Sequence, residues 1–397
     1  MHLRHRRRPG ASPRSADGAR QNPAPPQEGD CLMPRLALYM TEFASGGVQR
    51  MNLNLAPRFI AAGYEVTFVV HEAKGALVDS VPANIRVHSL NAPRARNAVR
   101  PLADYLKTQK PDILVSSLGQ PNLIALLANK MAGRPTKIVV SQRNHLTSQA
   151  RDMPDWQYKV LPFLYRKFLR HADGIIAVSE GLAQDLVAVT GLPRDRITVI
   201  YNPAVPDDID ARAAQPVEHP WFEAKLPVVI AIGRMVAVKD YATMVNAIAR
   251  VPEARLMILG EGPLLRELEA QVASLGIASR VAFLGFRDNP FAYLARASTF
   301  VLSSRHEGFG NVIAEALACG TPVVTTDCES GPAEIVDHGR YGRLVPVGDV
   351  AALADALHQS LTATVDKEQL KRRGQSFSVD RAAEAYLALF GKLLGHG

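Results

Sequence analysis

The chain has 397 residues, of which 47% are hydrophobic and 21% charged, so it is long enough for two domains and apolar enough to give each a core. Its three cysteines, Cys31, Cys319 and Cys328, allow at most one disulfide, which argues against a disulfide-stapled secreted fold. No stretch approaches the roughly 20 apolar residues of a membrane span, and the basic N-terminus lacks the apolar core of a signal peptide. We therefore expect a cytoplasmic protein.

The net charge of +8 is unevenly distributed. Residues 34–205 carry 21 Lys and Arg against 12 Asp and Glu, whereas residues 206–397 carry 19 against 23. The basic residues form no zinc finger, RNP motif or recognition helix, so we expect no nucleic-acid partner. Three interpretations of the basic half stay open: a face toward anionic lipid, a site for a phosphorylated substrate, and an ordinary solvated surface.

The chain begins with a segment that cannot form a core. Residues 1–33 are rich in Arg, Pro, Ala and Gly and have few branched apolar residues. This composition predicts a disordered basic extension.

From residue 35 onward, short apolar runs rich in Val and Ile alternate with longer helical patterns, which is typical of parallel sheets covered by helices on both faces. The predicted strands of the first half are 35–40, 64–70, 85–90, 112–118, 137–143, 174–179 and 197–202. Those of the second half are 227–233, 254–260, 280–285, 299–304, 322–327 and 342–347.

The sequence thus predicts an α/β protein with two doubly wound parallel sheets. One domain covers 34–205, a polar interdomain linker covers 206–226, and a second domain covers 227–378. We expect the helical segment within 379–397 to pack back on the first domain. The carboxyl ends of the strands would then face each other across a cleft, where open α/β sheets bind ligands. Nucleotide-sugar transferases, sugar-nucleotide epimerases and periplasmic binding proteins share this architecture, so fold alone leaves the function open.

Two cations follow the first strand of the second domain. Arg234 comes directly after its end, and Lys239 stands five residues later at the start of a helix. A guanidinium and an ammonium beside a helix N-terminus suit a diphosphate. A salt-bridged loop is the alternative interpretation.

Two carboxylates, Glu307 and Glu315, are eight residues apart in a strand-turn-helix-strand segment over 303–327. This spacing alone does not single out Glu307 and Glu315, because Glu253 and Glu261 are also eight residues apart. Glu307 follows a strand and precedes the start of a helix, so its carboxylate and the free N–H groups would face the cleft together. Glu315 lies among alanines, with room to meet ligand hydroxyls; a surface charge is the alternative.

Four segments of the second half, GRMVAVKD (233–240), LGEGPL (259–264), LGFRDN (284–289) and EGFGNVIAEALACGTPVV (307–324), resemble the donor domain of a retaining glycosyltransferase of family 4. The segment SGGVQR (45–50) is similar to the glycine-rich loop in the first domain of that family. The resemblance spans residue 34 to about 390. It implies the GT-B fold, in which two Rossmann-like domains face a central cleft.

The resemblance also implies roles by position. Arg234 and Lys239 would hold the donor diphosphate and would stabilise it as the leaving group. Glu307 would hold hydroxyls of the donor sugar, and Glu315 those of the ribose. The other donor-binding positions are the glycines of the first loop, two residues near the base, and the backbone at the helix start: Gly46, Gly47, Phe286, Arg287, Phe309, Gly310 and Asn311.

His145 completes the implied catalytic set, since it follows the strand 137–143 where family members place a residue near the anomeric carbon. A structural histidine is the alternative. The implied reaction is sugar transfer from a nucleotide-diphosphate sugar, with UDP favoured, by front-side attack with retained configuration. The segment 311–335 most resembles enzymes that extend polyprenyl-diphosphate-linked saccharides. An epimerase and a non-catalytic sugar-binding protein are the rival functions.

Two further segments bear on partners. Asp208-Ile209-Asp210 matches the D-x-D pattern of metal-dependent transferases, but it lies in the predicted linker rather than at a strand end. We therefore expect activity without a metal or another cofactor. The segment 156–170 mixes aromatic and basic residues, which fits either a membrane-facing helix, and hence a peripheral membrane protein, or an ordinary packed one.

Overall fold

The structure is a computed structural model that describes residues 33–44, 46–153 and 155–395. Residues 1–32 of the predicted N-terminal extension lie outside the described residues. Among the described helices, none is both long and apolar enough to cross a membrane.

The first half of the chain forms a parallel sheet of seven strands, whose central strands are buried on both faces because helices cover both sides. The strands are β1 (Arg35–Met40), β2 (Glu65–Val70), β3 (Arg86–Ser89), β4 (Ile113–Ser117), β5 (Lys137–Gln142), β6 (Gly174–Ala177) and β7 (Ile197–Val199). Their order in the sheet is β3-β2-β1-β4-β5-β6-β7. The helices are α1 (Gly47–Ala61), α2 (Val99–Gln109), α3 (Gly119–Ala132), α4 (Leu146–Asp152), α5 (Trp156–Phe168) and α6 (Glu180–Thr190).

The second half forms a parallel sheet of six strands. They are β8 (Val228–Ile232), β9 (Arg255–Leu259), β10 (Val281–Gly285), β11 (Thr299–Leu302), β12 (Val323–Thr326) and β13 (Arg343–Val345), in the order β10-β9-β8-β11-β12-β13. The α-helices after residue 206 are α7 (Ile209–Ala213), α8 (Pro220–Glu223), α9 (Tyr241–Ala249), α10 (Leu265–Ser274), α11 (Pro290–Leu294), α12 (Asn311–Ala318), α13 (Pro332–Ile335), α14 (Val350–Thr362), α15 (Lys367–Gln375) and α16 (Val379–Leu394).

Both sheets have the same switch in strand order beside their first strand. β1 lies between β2 and β4, and β8 lies between β9 and β11. Loops that leave neighbouring strands in opposite directions open a crevice at the carboxyl ends of those strands. The predicted fold class, two doubly wound Rossmann-like sheets, is confirmed.

Every predicted strand is present, but β7 ends at Val199, earlier than the predicted end at residue 202. The chain leaves the sheet there because its next side chains contact the second half of the protein. The ring of Tyr201 packs on Phe309 at 5.6 Å, and Asn202 donates a hydrogen bond to Asn311. The segment 206–226 is not wholly irregular, since it includes α7 and α8.

The last helix, α16, returns to the first sheet and packs along α1. Phe390 contacts Phe59 with 5.4 Å between ring centroids, and Asp380 accepts a hydrogen bond from Arg58 Nε at 2.9 Å. Apolar packing and an ion pair thus hold the end of the chain on the first domain.

Candidate active site

Lys239 and Glu307 meet at the carboxyl ends of two neighbouring strands. Lys239 follows β8 and Glu307 follows β11, and these strands pair with Thr299 opposite Val229. Lys239 Nζ lies 2.5 Å from Glu307 Oε1, which also accepts a hydrogen bond from Ser304 Oγ at 2.7 Å. The second domain therefore presents a cation and a carboxylate at one point of the cleft.

Arg234 lies on the same loop as Lys239 and is exposed. Within the described part of the chain its side chain has no hydrogen bond or ion pair. A guanidinium without a protein partner can bind an anion without breaking an existing contact.

The start of α12 lies directly after the Glu307 turn. Gly310 precedes the helix with φ +98°, a left-handed conformation that favours glycine. Phe309 is buried, with Phe377 at 5.4 Å, so its side chain fixes the turn rather than facing a ligand. The N–H groups of the first helical turn have no acceptor within the helix and are suited to an anion.

Glu315 lies in the second turn of α12 and is mostly shielded from solvent. Burial raises the pKa of its carboxyl group to about 7, although the cations Arg212 and Arg50 oppose the shift. Among the described residues its carboxylate has no hydrogen-bond partner. A shielded acid without a partner fits a binding role better than the alternative of a solvated surface charge.

The glycine-rich loop of the first domain ends at the start of α1. Gly46 immediately precedes this helix and Gly47 is its first residue. A Cβ added at Gly47 would meet no heavy atom within 4 Å, so this face of the loop is open. The cation of Arg50, in the same helical turn, favours the ionised form of the Glu315 carboxyl.

Phe286 and Arg287 follow β10 at the edge of the second sheet, and both are exposed. Arg287 Nε donates to the Tyr293 hydroxyl at 3.2 Å. Their position leaves the Phe286 ring free to stack on a planar group.

His145 caps the N-terminus of α4. Its Nδ1 accepts a hydrogen bond from the Ser148 N–H at 3.3 Å and lies 3.0 Å from the Ser148 hydroxyl oxygen. Asp185 Oδ1 is 3.5 Å from Nδ1, but Asp185 already accepts from the Leu146 N–H and the Thr147 hydroxyl. The structural interpretation of His145 therefore has a clear basis, and its Nε2 is not used by the cap.

The two domains touch across the cleft, beginning with backbone contacts. Gly308 faces the Arg143 carbonyl so closely that an added Cβ would lie 1.8 Å from its oxygen. The Gly308 carbonyl accepts from Ser179 Oγ at 3.0 Å. Glu334 accepts from the N–H groups at the start of α6, those of Glu180 at 2.7 Å and Gly181 at 2.9 Å.

Side chains of α4 add to this interface. Ser148 Oγ donates to the Glu329 carboxylate, and Asp152 Oδ2 lies 3.3 Å from His306 Nε2. Burial lowers the pKa of His306 despite the nearby carboxylate of Asp152. A lowered pKa favours the neutral ring, so this contact does not require a charged histidine.

Sequence reasoning missed Asn202, which joins the domains through Asn311. The available signal was its position after a strand end, the same signal that identified Arg234. The D-x-D residues lie elsewhere, since Asp208 precedes α7 and Asp210 is in its first turn. Within the described ranges no group of three or more His, Cys, Asp or Glu side chains could hold a metal ion.

Two family models match the chain, one on each domain. Residues 46–203 match the glycosyl transferase 4-like domain, and residues 226–363 match glycosyl transferases group 1.

Curated relatives match over most of their length. The N-acetylgalactosamine-N,N'-diacetylbacillosaminyl-diphospho-undecaprenol 4-alpha-N-acetylgalactosaminyltransferase of Campylobacter jejuni is 28% identical over 365 residues, covering 88% of this chain and 95% of the relative. The lipopolysaccharide core biosynthesis glycosyltransferase LpsE of Rhizobium meliloti is 29% identical, covering 87% of this chain and 95% of LpsE.

Solved structures share the fold. The apo form of the lipopolysaccharide outer core galactosyltransferase WaaB has a TM-score of 0.73 at 21% identity, covering 91% of this chain and 99% of that one. Anabaena Alr3699/HepE in complex with UDP has a TM-score of 0.72 at 22% identity, covering 91% of this chain and 100% of that one. These matches are to two-domain enzymes of the GT-B fold.

Proposed function

Because the chain is a glycosyltransferase of the GT-B fold, we propose that it transfers a hexose or N-acetylhexosamine from a nucleotide-diphosphate sugar with retention of configuration. The observation that carries the proposal is the pairing of Lys239 with Glu307 beside the start of α12. A cation suited to a leaving diphosphate and a carboxylate suited to sugar hydroxyls are thereby next to each other. UDP is the favoured nucleotide, in line with the structural relative that is described with UDP bound.

The departing diphosphate gains negative charge as the bond to the sugar breaks. Arg234, Lys239 and the first N–H groups of α12 stabilise that charge. Gly46 and Gly47 let the first domain approach the β-phosphate without a side-chain clash.

The donor sugar and nucleoside are held by the other proposed contacts. Glu307 orients the hydroxyls of the sugar, Glu315 accepts from the ribose hydroxyls, and the exposed residues Phe286 and Arg287 contact the base. His145 lies near the anomeric carbon, with Nε2 as the ring nitrogen that the cap leaves available.

The reaction proceeds on one face of the sugar. The bond from the anomeric carbon to the diphosphate oxygen breaks, and the acceptor hydroxyl oxygen bonds to that carbon from the same side. The hydroxyl proton passes to the leaving phosphate oxygen, so charge and atoms balance without a protein nucleophile. Electrostatic stabilisation of the leaving group is then the main catalytic effect. We expect no metal ion or other cofactor to be required.

The proposed acceptor is a saccharide linked to a polyprenyl diphosphate. The sequence resemblance over 311–335 supports it, and the name of the Campylobacter jejuni relative contains diphospho-undecaprenol.

A donor screen tests the proposal. UDP- and GDP-sugars are incubated with a short polyprenyl-diphosphate-linked saccharide, and nucleotide release and product masses are measured. We expect release of UDP and an acceptor that gains one sugar. Conversion of the donor without an acceptor would favour an epimerase, and binding without turnover would favour a sugar-binding protein.

We further propose that the enzyme works at the surface of an anionic membrane, on its cytoplasmic side, and that α5 is the contact. The inner face of α5 is anchored, since the Tyr165 hydroxyl accepts from Asn122 Nδ2 at 2.9 Å and donates to Gln142 Oε1 at 2.7 Å. The outer face carries Trp156, Val160 and Phe163, which are 70%, 36% and 67% exposed. At about 3.6 residues per turn these three side chains lie on one stripe.

Basic residues flank this stripe. Lys159, Arg166 and Lys167 are exposed on α5, and Arg170 follows in the next turn. Each cation near an anionic surface contributes about 1 kcal/mol, and the aromatic side chains can enter the headgroup region. The packed-helix interpretation therefore holds for the inner face of α5 and leaves the outer face unexplained. An anionic bilayer matches both its charge and its apolar stripe.

Sedimentation with phosphatidylglycerol vesicles at low and high salt tests the role of α5. Trp156→Ser with Phe163→Ser should weaken binding at least about tenfold, whereas Leu275→Ser, which removes a 39% exposed apolar residue of the second domain, should not. Lys159→Gln with Lys167→Gln should weaken binding at low salt and flatten its salt dependence. Retained binding in the aromatic double variant would reject α5 as the contact. Turnover of a water-soluble acceptor distinguishes a variant that has lost membrane binding from one that has lost its folded, active state.

A further inference from the structure

Three side chains form a continuous hydrogen-bonded chain from the first domain into the second. Arg143 follows β5, Asn202 follows β7, and Asn311 is the first residue of α12. Arg143 Nη1 donates to Asn202 Oδ1 at 2.6 Å, and Asn202 Nδ2 donates to Asn311 Oδ1 at 2.8 Å.

Arg143 fixes which atoms donate and which accept along this series of hydrogen bonds. A guanidinium has only donors, so the atom of Asn202 that faces Arg143 must be the oxygen. The NH₂ group of Asn202 then faces Asn311 and requires an acceptor there, which only the oxygen of the Asn311 amide supplies. The Nδ2 hydrogens of Asn311 are left over, and within the described ranges they have no partner.

Arg143 is well placed to impose this direction. It is only 8% exposed, its Nη2 donates to the Tyr386 hydroxyl at 3.2 Å, and its Nε has no partner among the described residues. Burial without a carboxylate partner lowers its pKa, which indicates that the charge is kept at a cost. A buried cation held by neutral partners alone is uncommon for a purely structural contact.

We propose that Arg143 and Asn202 are positioning residues that hold the Asn311 amide with its N–H donors available to the diphosphate of the sugar donor. The inference rests on the proposed function, because it assumes that the diphosphate binds at the start of α12. It adds a side-chain donor to the backbone N–H groups already assigned there.

This relay of hydrogen bonds from Arg143 through Asn202 to Asn311 also depends on contact between the domains. Arg143 and Asn202 belong to the first domain and Asn311 to the second, so the amide is oriented only when the two are together. Domain closure would thus complete the set of donors around the leaving group at the moment it is needed.

A double-mutant cycle on UDP affinity tests the relay. Asn202→Asp preserves an acceptor for Arg143 but removes the donor to Asn311, so the Asn311 amide should rotate and give its N–H to the new carboxylate. We expect Asn202→Asp and Asn311→Ala each to weaken UDP binding about tenfold, in the range of a charge-assisted hydrogen bond. The combined variant should bind UDP no more weakly than Asn311→Ala alone.

Calorimetric titration with UDP and GDP provides the measurement, with Asn246→Asp on α9 as the matched control because its Oδ1 still accepts from Gln271 Nε2. The control should bind like the unmodified protein, and the melting temperature of Asn202→Asp should not fall. If Asn202→Asp weakens binding equally with and without the Asn311 amide, a simple charge effect replaces the relay. If the unmodified protein binds neither nucleotide, the proposed donor site itself fails.

Discussion

The Lys239 ammonium and the Glu307 carboxylate form an ion pair with 2.5 Å between Nζ and Oε1, and their side chains are only 21% and 13% exposed. Each group neutralises the other while no ligand is bound. Removing one member leaves the other shielded from water and unpaired, which is costly unless a ligand replaces it.

Glu307→Ala should lower kcat at least about a hundredfold, because a carboxylate that orients the donor sugar acts mainly in the transition state. UDP affinity should be unchanged or higher, since Lys239 is freed to pair with the diphosphate. Steady-state kinetics and UDP titration measure the two effects. The control is Glu315→Gln, which should mainly weaken donor binding; equal, small effects of both variants would contradict the assignments.

Donor binding should depend on the ionisation of Glu315. Its pKa is raised to about 7, so at pH 6 the carboxyl is mostly protonated and at pH 8 mostly ionised. A carboxylate accepts hydrogen bonds from two ribose hydroxyls, and affinity for a UDP-sugar should rise between these values. A UDP-sugar is the suitable probe because its diphosphate diester does not titrate in this range. The affinity of Glu315→Gln should be flat across it, and a parallel pH dependence in that variant would exclude Glu315 as the cause.

The raised pKa of Glu315 also predicts how stability depends on pH. Here a higher pH is unfavourable, whereas it favours donor binding. The pKa rises on folding from an ordinary value of 4.5 to about 7, so the folded state favours the protonated acid. Stability is therefore lost as the pH rises from about 4.5 through 7, by up to about 3 kcal/mol. Glu315→Gln should raise the melting temperature at pH 8 and change it little at pH 5. A variant that is less stable at pH 8 would show that the carboxylate has a stabilising partner.

Gly308→Ala should separate the domains without disrupting either one. The added Cβ would lie 1.8 Å from the Arg143 carbonyl oxygen, which is backbone and cannot move aside as a side chain can. We expect kcat to fall at least about tenfold and UDP affinity to fall by up to about tenfold, because separation of the domains would also release the Asn311 amide from Asn202. Small-angle scattering should show an expanded particle. Unchanged scattering and kcat would mean that closed contact is not part of the catalytic cycle.

Turnover should persist without a divalent cation. In the proposed site Arg234, Lys239 and the start of α12 oppose the diphosphate charge, whereas Asp208 precedes α7 and Asp210 is in its first turn, in the segment between the sheets. EDTA should leave most of the activity, and Asp208→Ala with Asp210→Ala should remain active. If EDTA abolishes activity and Mg²⁺ or Mn²⁺ restores it, Arg234, Lys239 and the start of α12 are not sufficient to stabilise the leaving diphosphate.

The sequence pattern predicts the sheets well because their strands are buried runs of Val and Ile with polar residues at the carboxyl ends. It also brings Lys239 and Glu307 into one region, since both follow strands of the same sheet. It could not show that they pair, because the pairing depends on β8 and β11 being neighbours, which follows from strand order rather than spacing.

The contacts between the domains could not be predicted from the sequence for a second reason. Arg143, Asn202 and Asn311 lie up to 168 positions apart in the chain and meet only at one relative placement of the two sheets. Similarly, the mixture of aromatic and basic residues on α5 does not reveal which face packs inward. The hydroxyl of Tyr165 decides this, through partners on α3 and β5.

The return of α16 to α1 makes the second domain an insertion within the first. A fragment that stops before α16 would leave Phe59 without Phe390 and Tyr386, and Arg143 without the Tyr386 hydroxyl. Chimeras that exchange the sugar-donor half of this enzyme with that of a relative should therefore have two junctions, one after β7 and one before α16. The native helix then stays with the sheet on which it packs.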